Sequence, residues 1–262
     1  MNNFAYADDI VLLCPSASAL NDFLKICSSF AIRNYISFSF DKTECMCICP
    51  KTVKISNLPD ISLDGAKIKY VIQFKYLGHL ITNTFTDDED IAKETRNMFA
   101  RGNTLIRLFK PMTKEVKIQL YKSFIYPLYC ASLWSSYRVS TVSRLRVGYN
   151  TILRRLLGVS LWNEEAERVE SISALFVQSG IRSFPEQYRY MSFGCMDRIN
   201  ASENKLVKTL MASDAKIKSR QWSHWNNLLN IWPVKPSTDE LYVTCVLIVH
   251  YSFLALVIWS DV

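Results

Sequence analysis

The chain has 262 residues, 49% of them hydrophobic and 21% charged, a balance that can bury a sizeable core and excludes a disordered chain. Seven glycines and eight prolines are scattered without a repeat or a low-complexity tract, which excludes a solenoid. The net charge of +7 is local: residues 1–86 carry 8 basic and 7 acidic side chains, 87–160 carry 13 and 6, and 161–262 carry 10 and 11. The middle segment therefore holds the whole excess, the footprint of a polyanion partner or of basic helices facing solvent.

At the start, the β-forming runs Phe4 to Tyr6 and Ile10 to Leu13 flank Ala7-Asp8-Asp9, which predicts strand, turn, strand with both carboxylates at the hairpin tip. Adjacent acids on a rigid hairpin suit Mg²⁺, a hard cation that prefers carboxylate oxygen, although Asp pairs also occupy exposed turns where they bond their own backbone. Pro15 ends the strand. Ser16 or Ser18 then caps a helix on which Leu20, Phe23, Leu24, Cys27, Phe30 and Ala31 recur at helical spacing. Strands are expected over Ile36 to Phe40 and Cys45 to Cys49, with Lys42 between them as a surface lysine at a strand edge. Cys45, Cys47 and Cys49 alternate onto one face, roughly 6.6 Å apart, a poor zinc clamp without further ligands. Eight cysteines at irregular spacing, mostly in apolar runs and without a signal peptide, read as reduced core residues of an intracellular protein of nucleus or cytoplasm.

Residues 58 to 82 read as a β-meander: Ile61 to Leu63, the turn Asp64-Gly65, Lys67 to Ile72, Phe74-Lys75-Tyr76-Leu77-Gly78, and His79 to Thr82. From an acidic start at Thr86-Asp87-Asp88-Glu89, a helix carries Ile91, Met98, Gly102 and Leu105 on one side, with Lys93, Arg96, Arg101, Arg107 and Lys110 on the rest. A second helix is expected from Thr113 to near Pro127. A third, about Val142 to Leu157, is capped by Gly158 and leaves Arg144, Arg146, Arg154 and Arg155 outside. Beyond Leu161 further helices are expected, with Trp222 and Trp225 in a core. Leu241 to Ser260 lacks charge and is long enough to span a bilayer; a buried helix, or unrelated sequence joined by a shifted frame, competes with that reading.

Tyr6-Ala7-Asp8-Asp9 with its apolar flanks resembles the palm signature of reverse transcriptases of non-LTR retrotransposons. Lys42-Thr43 matches the end of a family pattern whose lysine assists the leaving pyrophosphate, while Tyr35 and Ser39 depart from it. Phe74-Lys75-Tyr76-Leu77-Gly78 is similar to the family's primer-grip hairpin, and Leu128 to Trp134 to a segment before another thumb helix. The resemblance covers Phe4 to Gly158 and implies an α+β fold, a partial antiparallel polymerase palm sheet with a helix followed by an all-α thumb-like bundle. Its divisions are 1–86 partial palm, 87–160 basic thumb, 161–235 helical extension and 236–262 apolar tail.

The resemblance implies Asp8 and Asp9 as Mg²⁺ ligands, Lys42 as a third catalytic residue, and Tyr76, Leu77 and Gly78 as the primer grip. It implies Lys93, Arg96, Arg101, Arg107, Arg154 and Arg155 as nucleic-acid contacts. The partners are then an RNA template, a DNA primer and deoxynucleoside triphosphates, with a membrane through 241–260 a lesser possibility. The third carboxylate of the family's site lies on an upstream strand that these residues do not hold; Asp22 and Asp41 are stand-ins by count alone. The expectation is a fragment of an RNA-directed DNA polymerase, inactive by itself. The alternatives are a non-catalytic nucleic-acid-binding module built on 87–160, or an inert product of a decayed element.

Overall fold

The computed structural model describes residues 3–48, 57–160, 162–163, 168–169, 171–213, 219–230 and 254–258. The chain forms two compact units, Met1–Thr86 with Val246–Val262, and Asp87–Cys245, taken here one at a time.

The first unit is built on a five-stranded sheet. β1 (Asn3–Tyr6) and β2 (Asp9–Cys14) form an antiparallel hairpin in which Tyr6 faces Asp9. The turn is therefore Ala7-Asp8, with Ala7 at φ 53°, and Asp9 already belongs to β2. That corrects the expectation of two acids at the tip. Helix α1 (Ala17–Arg33) follows, its Ser16 cap accepting from Ala19 N at 3.2 Å. Leu20, Leu24 and Ala31 are buried, whereas Phe30 is 53% exposed, because at about 100° per residue it sits roughly 100° off their axis.

The strand expected over Ile36 to Phe40 does not form. Ile36 N donates to Ala31 O to close α1, and the chain passes into a 3₁₀ turn at Phe40–Lys42. β3 (Glu44–Ile48) then enters the sheet. The meander is three separate pieces. β4 (Ser62–Leu63) and β5 (Ala66–Lys67) form one hairpin, β6 (Lys69–Tyr70) pairs parallel with β3, and β7 (Gln73–Tyr76) and β8 (His79–Thr82) form a second hairpin. Both hairpins turn on two residues of positive φ, Asp64-Gly65 and Leu77-Gly78, the arrangement that matches strand twist.

Alternation sorts the sheet's two faces. Leu12, Cys14 and Cys45 pack on α1 with Leu20 and Leu24; Val11, Met46 and Ile48 pack on the β7–β8 hairpin through Phe74, with Leu13, Tyr76 and Ile81 beside them. Burial on both faces explains why β2 reads as a continuous apolar run. The central strand is β11 (Leu254–Ile258), lying parallel to β2 on one side and to β3 on the other, so the order is β1-β2-β11-β3-β6. The antiparallel expectation thus describes the hairpins, while the middle of the sheet is parallel. A helix over the apolar tail is also corrected at 254–258; the rest of 241–260 lies outside the described residues. Among the described residues no helix is long and apolar enough to cross a membrane.

The second unit is helical: α2 (Asp88–Leu108), α3 (Lys114–Phe124), a 3₁₀ turn at Ala131–Leu133, α4 (Val139–Leu157), α5 (Ser173–Ser179), α6 (Phe184–Asn200), α7 (Lys205–Ala212) and α8 (Arg220–Asn230), with a short β9–β10 pair at Trp162–Asn163 and Arg168–Val169. α2 and α4 approach closely at two glycines. A Cβ on Gly102 would lie 2.7–2.8 Å from Ile152 carbons, and one on Gly148 2.7–2.9 Å from Met98 and Phe99. Tyr149 centres the core, 5.3 Å from the Tyr121 ring and 5.7 Å from that of Phe184, and its Oη donates to Arg182 O. Phe176, Phe184 and Tyr188 share this core with α2 and α4, so 171–200 joins the basic helices rather than extending from them.

Candidate functional site

Strand register builds the acidic site. Asp9, Val11 and Leu13 alternate onto the face covered by β7–β8, which brings Asp9 towards Tyr76. Burial, and then the Asp9 charge, raise the Tyr76 phenol above its ordinary range, so the two side chains feel one another. Asp9 is 6% exposed. Next to it, Asp8 Oδ1 is shut away from water without a hydrogen-bond partner, a costly state for a carboxylate oxygen.

Those two features fit a cation: a solvent-shielded carboxylate oxygen lacking a donor, with a second carboxylate adjacent in sequence. The donor set is short. Among the described residues no further His, Cys, Asp or Glu completes a group of three ligands with Asp8 and Asp9. Asp22 lies on α1, paired with Lys25 at 2.9 Å, and Asp41 is exposed in the 3₁₀ turn. Lys42 is exposed in that same turn, while Thr43 is buried, its Oγ1 donating to Ser39 O at 2.8 Å. Leu77-Gly78 forms the tip of the hairpin whose Tyr76 and Phe74 pack on the sheet. Cys45 is buried and its thiol pushed up to about 12, chiefly by desolvation, which disfavours a metal-binding thiolate; Cys49 lies outside the described residues.

In the second unit the expected basic contacts divide. Lys93 pairs with Asp90, and Arg101 with Glu94 at 2.6 Å, one turn or two back along α2. Arg96, Arg107 and Arg155 are exposed and Arg154 is half-buried; among the described residues none of the four pairs with a carboxylate.

The acids at the start of α2 do more than complement a helix end. Asp87 Oδ2 accepts from Ser135 N and Ser136 N at 2.8 Å each, Asp88 Oδ1 accepts from Arg138 N and Thr141 Oγ1, and Asp90 Oδ2 accepts from Trp134 Nε1 at 2.7 Å. Burial raises the Asp88 carboxyl, but those bonds and the Arg138 charge outweigh it and the net shift is downward. The run of acids followed far along the chain by Trp134-Ser135-Ser136 gave no local signal of this clasp. Its effect is to internalise three acids and leave the outer face of the basic helices more positive than the sequence count suggests.

The chain is 21% identical over 217 residues to an RNA-directed DNA polymerase from the mobile element jockey of Drosophila funebris, and 22% identical over 216 residues to that of Drosophila melanogaster. Each match covers 78% of this chain and 22% of the relative, so the chain spans about a fifth of the length of the curated relatives it matches. No family model matches, and no solved structure matches.

Proposed function

We propose that these residues are a reverse-transcriptase-like part of an RNA-directed DNA polymerase, in which Asp8 and Asp9 hold Mg²⁺ beside the β7–β8 hairpin and the basic helices of the second unit bear on a template and primer. The observation that carries this reading is the closeness of Asp9 to Tyr76, together with the donorless Asp8 oxygen, in a chain distantly similar over most of its length to two such polymerases. Mg²⁺ bound there would stabilise charge on phosphoryl oxygens and activate a hydroxyl nucleophile. The chain's own part is to fix two carboxylates on a hairpin anchored through Val11 and Leu13, and to present the Leu77-Gly78 turn where little side chain obstructs a nucleic-acid backbone. Lys42 is assigned to the nucleotide phosphates by resemblance, and it is exposed in the 3₁₀ turn.

The resemblance implies a third carboxylate at this site, and among the described residues none joins Asp8 and Asp9, so these residues alone are proposed to bind the cation but not to extend a primer. Mn²⁺ serves as the probe in a test by nuclear magnetic resonance. It should broaden the amides of Ala7 to Ile10 at millimolar concentration, and Asp8→Asn should abolish the effect. Broadening spread evenly over exposed acids such as Asp22 and Asp60, with the hairpin untouched, would refute the site. Primer extension on an RNA template with Mg²⁺ checks the remainder. Incorporation that Asp8→Ala abolishes would establish the activity and overturn only the claim that the residues are insufficient.

A further inference from the structure

Three side chains from separate elements of the second unit converge on one point. Tyr137 stands in the loop just before α4, Tyr188 on α6 and His224 on α8, with 36 to 87 residues of sequence between them. Their polar atoms form a triangle: His224 Nε2 is 3.0 Å from Tyr188 Oη and 3.4 Å from Tyr137 Oη, and the two phenolic oxygens are 3.4 Å apart. We propose that this triangle is a metal site whose ion is ferric iron, held by two tyrosine oxygens and one imidazole nitrogen. It lies apart in chemistry from Asp8 and Asp9 and does not rest on the polymerase reading.

The spacing suits a shared ion better than a ring of hydrogen bonds. Good hydrogen bonds close to about 2.5–3.0 Å between oxygens and about 2.7–3.2 Å from nitrogen to oxygen, so two of the three edges are too long. Ligand atoms about 2 Å from a common ion lie roughly 2.8–3.3 Å from one another, between the octahedral and tetrahedral arrangements. An ion seated just off the plane of the triangle therefore reaches all three with little movement. Tyr188 Oη already donates to Trp134 O at 3.2 Å, which takes its one proton outside the triangle.

The fold holds these groups in place. Gln221 and Trp225, on either side of His224, both donate to Ser132 O at 2.8 Å and fix α8 against the 3₁₀ turn. Tyr188 is 5% exposed and stacks on Phe184, and the His224 ring meets the Tyr137 ring edge-on at 5.5 Å. Tyr137 and His224 are half-buried, which gives an ion its way in.

Donor chemistry selects the ion. Burial, with the Asp87 charge adding to it, raises both phenols, so they yield their protons only to a strong Lewis acid. Burial lowers the His224 pKa and keeps the imidazole neutral, with a lone pair to give when its proton is on Nδ1. Two phenolates and the nearby Asp87 carboxylate balance the charge of a trivalent ion, while Asp87 stays anchored on Ser135 N and Ser136 N. Binding breaks two O–H bonds, forms two Fe–O bonds and one Fe–N bond, and releases two protons to solvent. No electron is transferred, and water completes the coordination.

The test titrates the full chain with ferric nitrilotriacetate. One equivalent should bind with the visible charge-transfer absorption of an iron(III) phenolate, and the melting temperature of the helical unit should rise with the concentration of iron. Tyr188→Phe and Tyr137→Phe should each weaken binding by about tenfold or more and diminish the band, whereas His224→Gln should weaken binding and leave phenolate absorption in place. Iron held without the visible band is an adventitious ion only, on surface carboxylates, and overturns the proposal. Zinc bound as tightly as iron overturns it as well. Should Tyr188→Phe lose helical circular dichroism, Tyr137→Phe decides, because among the described residues its hydroxyl makes no hydrogen bond outside the triangle. An undiminished band in that variant counts against the site.

Discussion

The indole Nε1 of Trp134 donates to Oδ2 of Asp90 at 2.7 Å, and neither side chain has any exposed surface. Asp90 also pairs with Lys93, so the buried carboxylate is satisfied from both sides, and the bond ties the first turn of α2 to the segment that leads into α4. Trp134→Phe keeps an aromatic ring but removes the donor. The expected loss is about 1–3 kcal/mol, the cost of an unsatisfied buried acceptor with some lost packing. Urea unfolding followed by helical circular dichroism measures it, and a loss under about 0.5 kcal/mol would show that the clasp is ornamental.

Gly102 and Gly148 set the α2–α4 distance from opposite sides of one contact. Gly148→Leu drives side-chain atoms into Met98 and Phe99, and about 1–3 kcal/mol of destabilisation is expected from overpacking. Gly158→Ala acts differently. A Cβ there meets nothing, so only the positive φ of 68° resists it, and roughly 1 kcal/mol is expected. If the two substitutions cost the same in a denaturant series, close approach of the helices is not what Gly148 provides.

What the sequence disclosed follows from which forces are local. The hairpin at Asp8-Asp9, a serine cap at Ser16 or Ser18, the Asp64-Gly65 turn and the helices after Asp87 all rest on interactions a few residues apart, and all were legible; the second hairpin was expected only from the resemblance, and Leu77, by its residue type a core position, lies in its turn. Asp9 was misassigned to the turn because register, not composition, decides where a two-residue turn ends. Ile36 to Phe40 has strand-forming residues but is taken up by the close of α1 at one end and a 3₁₀ turn at the other. The clasp around Asp87, Asp88 and Asp90 joins groups more than forty residues apart in sequence, and the slot filled by Leu254–Ile258 joins opposite ends of the chain. Neither leaves a periodic trace. The acid pair itself was legible, but its closeness to Tyr76 depends on which face of β2 the second hairpin covers.

His224 supplies a pH dependence. Its Nε2 lies 3.0 Å from Tyr188 Oη and 3.4 Å from Tyr137 Oη, while Gln221 and Trp225 of the same helix donate to Ser132 O at 2.8 Å. Burial lowers its pKa and the Asp87 charge partly opposes this, for a net shift downward from 6.5. The folded state thus binds fewer protons than the unfolded one below pH 6.5, and stability falls as the pH drops from there through the depressed folded value. Thermal melts from pH 7.5 to 5 should show α8 loosening first, through the fluorescence of Trp222 and Trp225. His224→Gln should flatten that slope; an unchanged slope would place the titration elsewhere.

The basic side chains divide by what holds them, and salt dependence tells the two groups apart. Lys93 and Arg101 are bound to Asp90 and Glu94, and burial pushes the Glu94 carboxyl upward against the Arg101 charge, so removing Arg101 strands a buried acid. Arg101→Gln should therefore lower stability more than affinity for RNA–DNA duplex. Arg96, Arg107, Arg154 and Arg155, with no carboxylate on them among the described residues, remain available to phosphates. Each phosphate contact removed should reduce the slope of log affinity against log salt by about 0.9 on a duplex. The fourfold glutamine variant should flatten the slope by as much as about 3–4 while melting within a degree or two of the original chain. A slope that survives all four changes would mean that the positive face of the second unit does not meet nucleic acid.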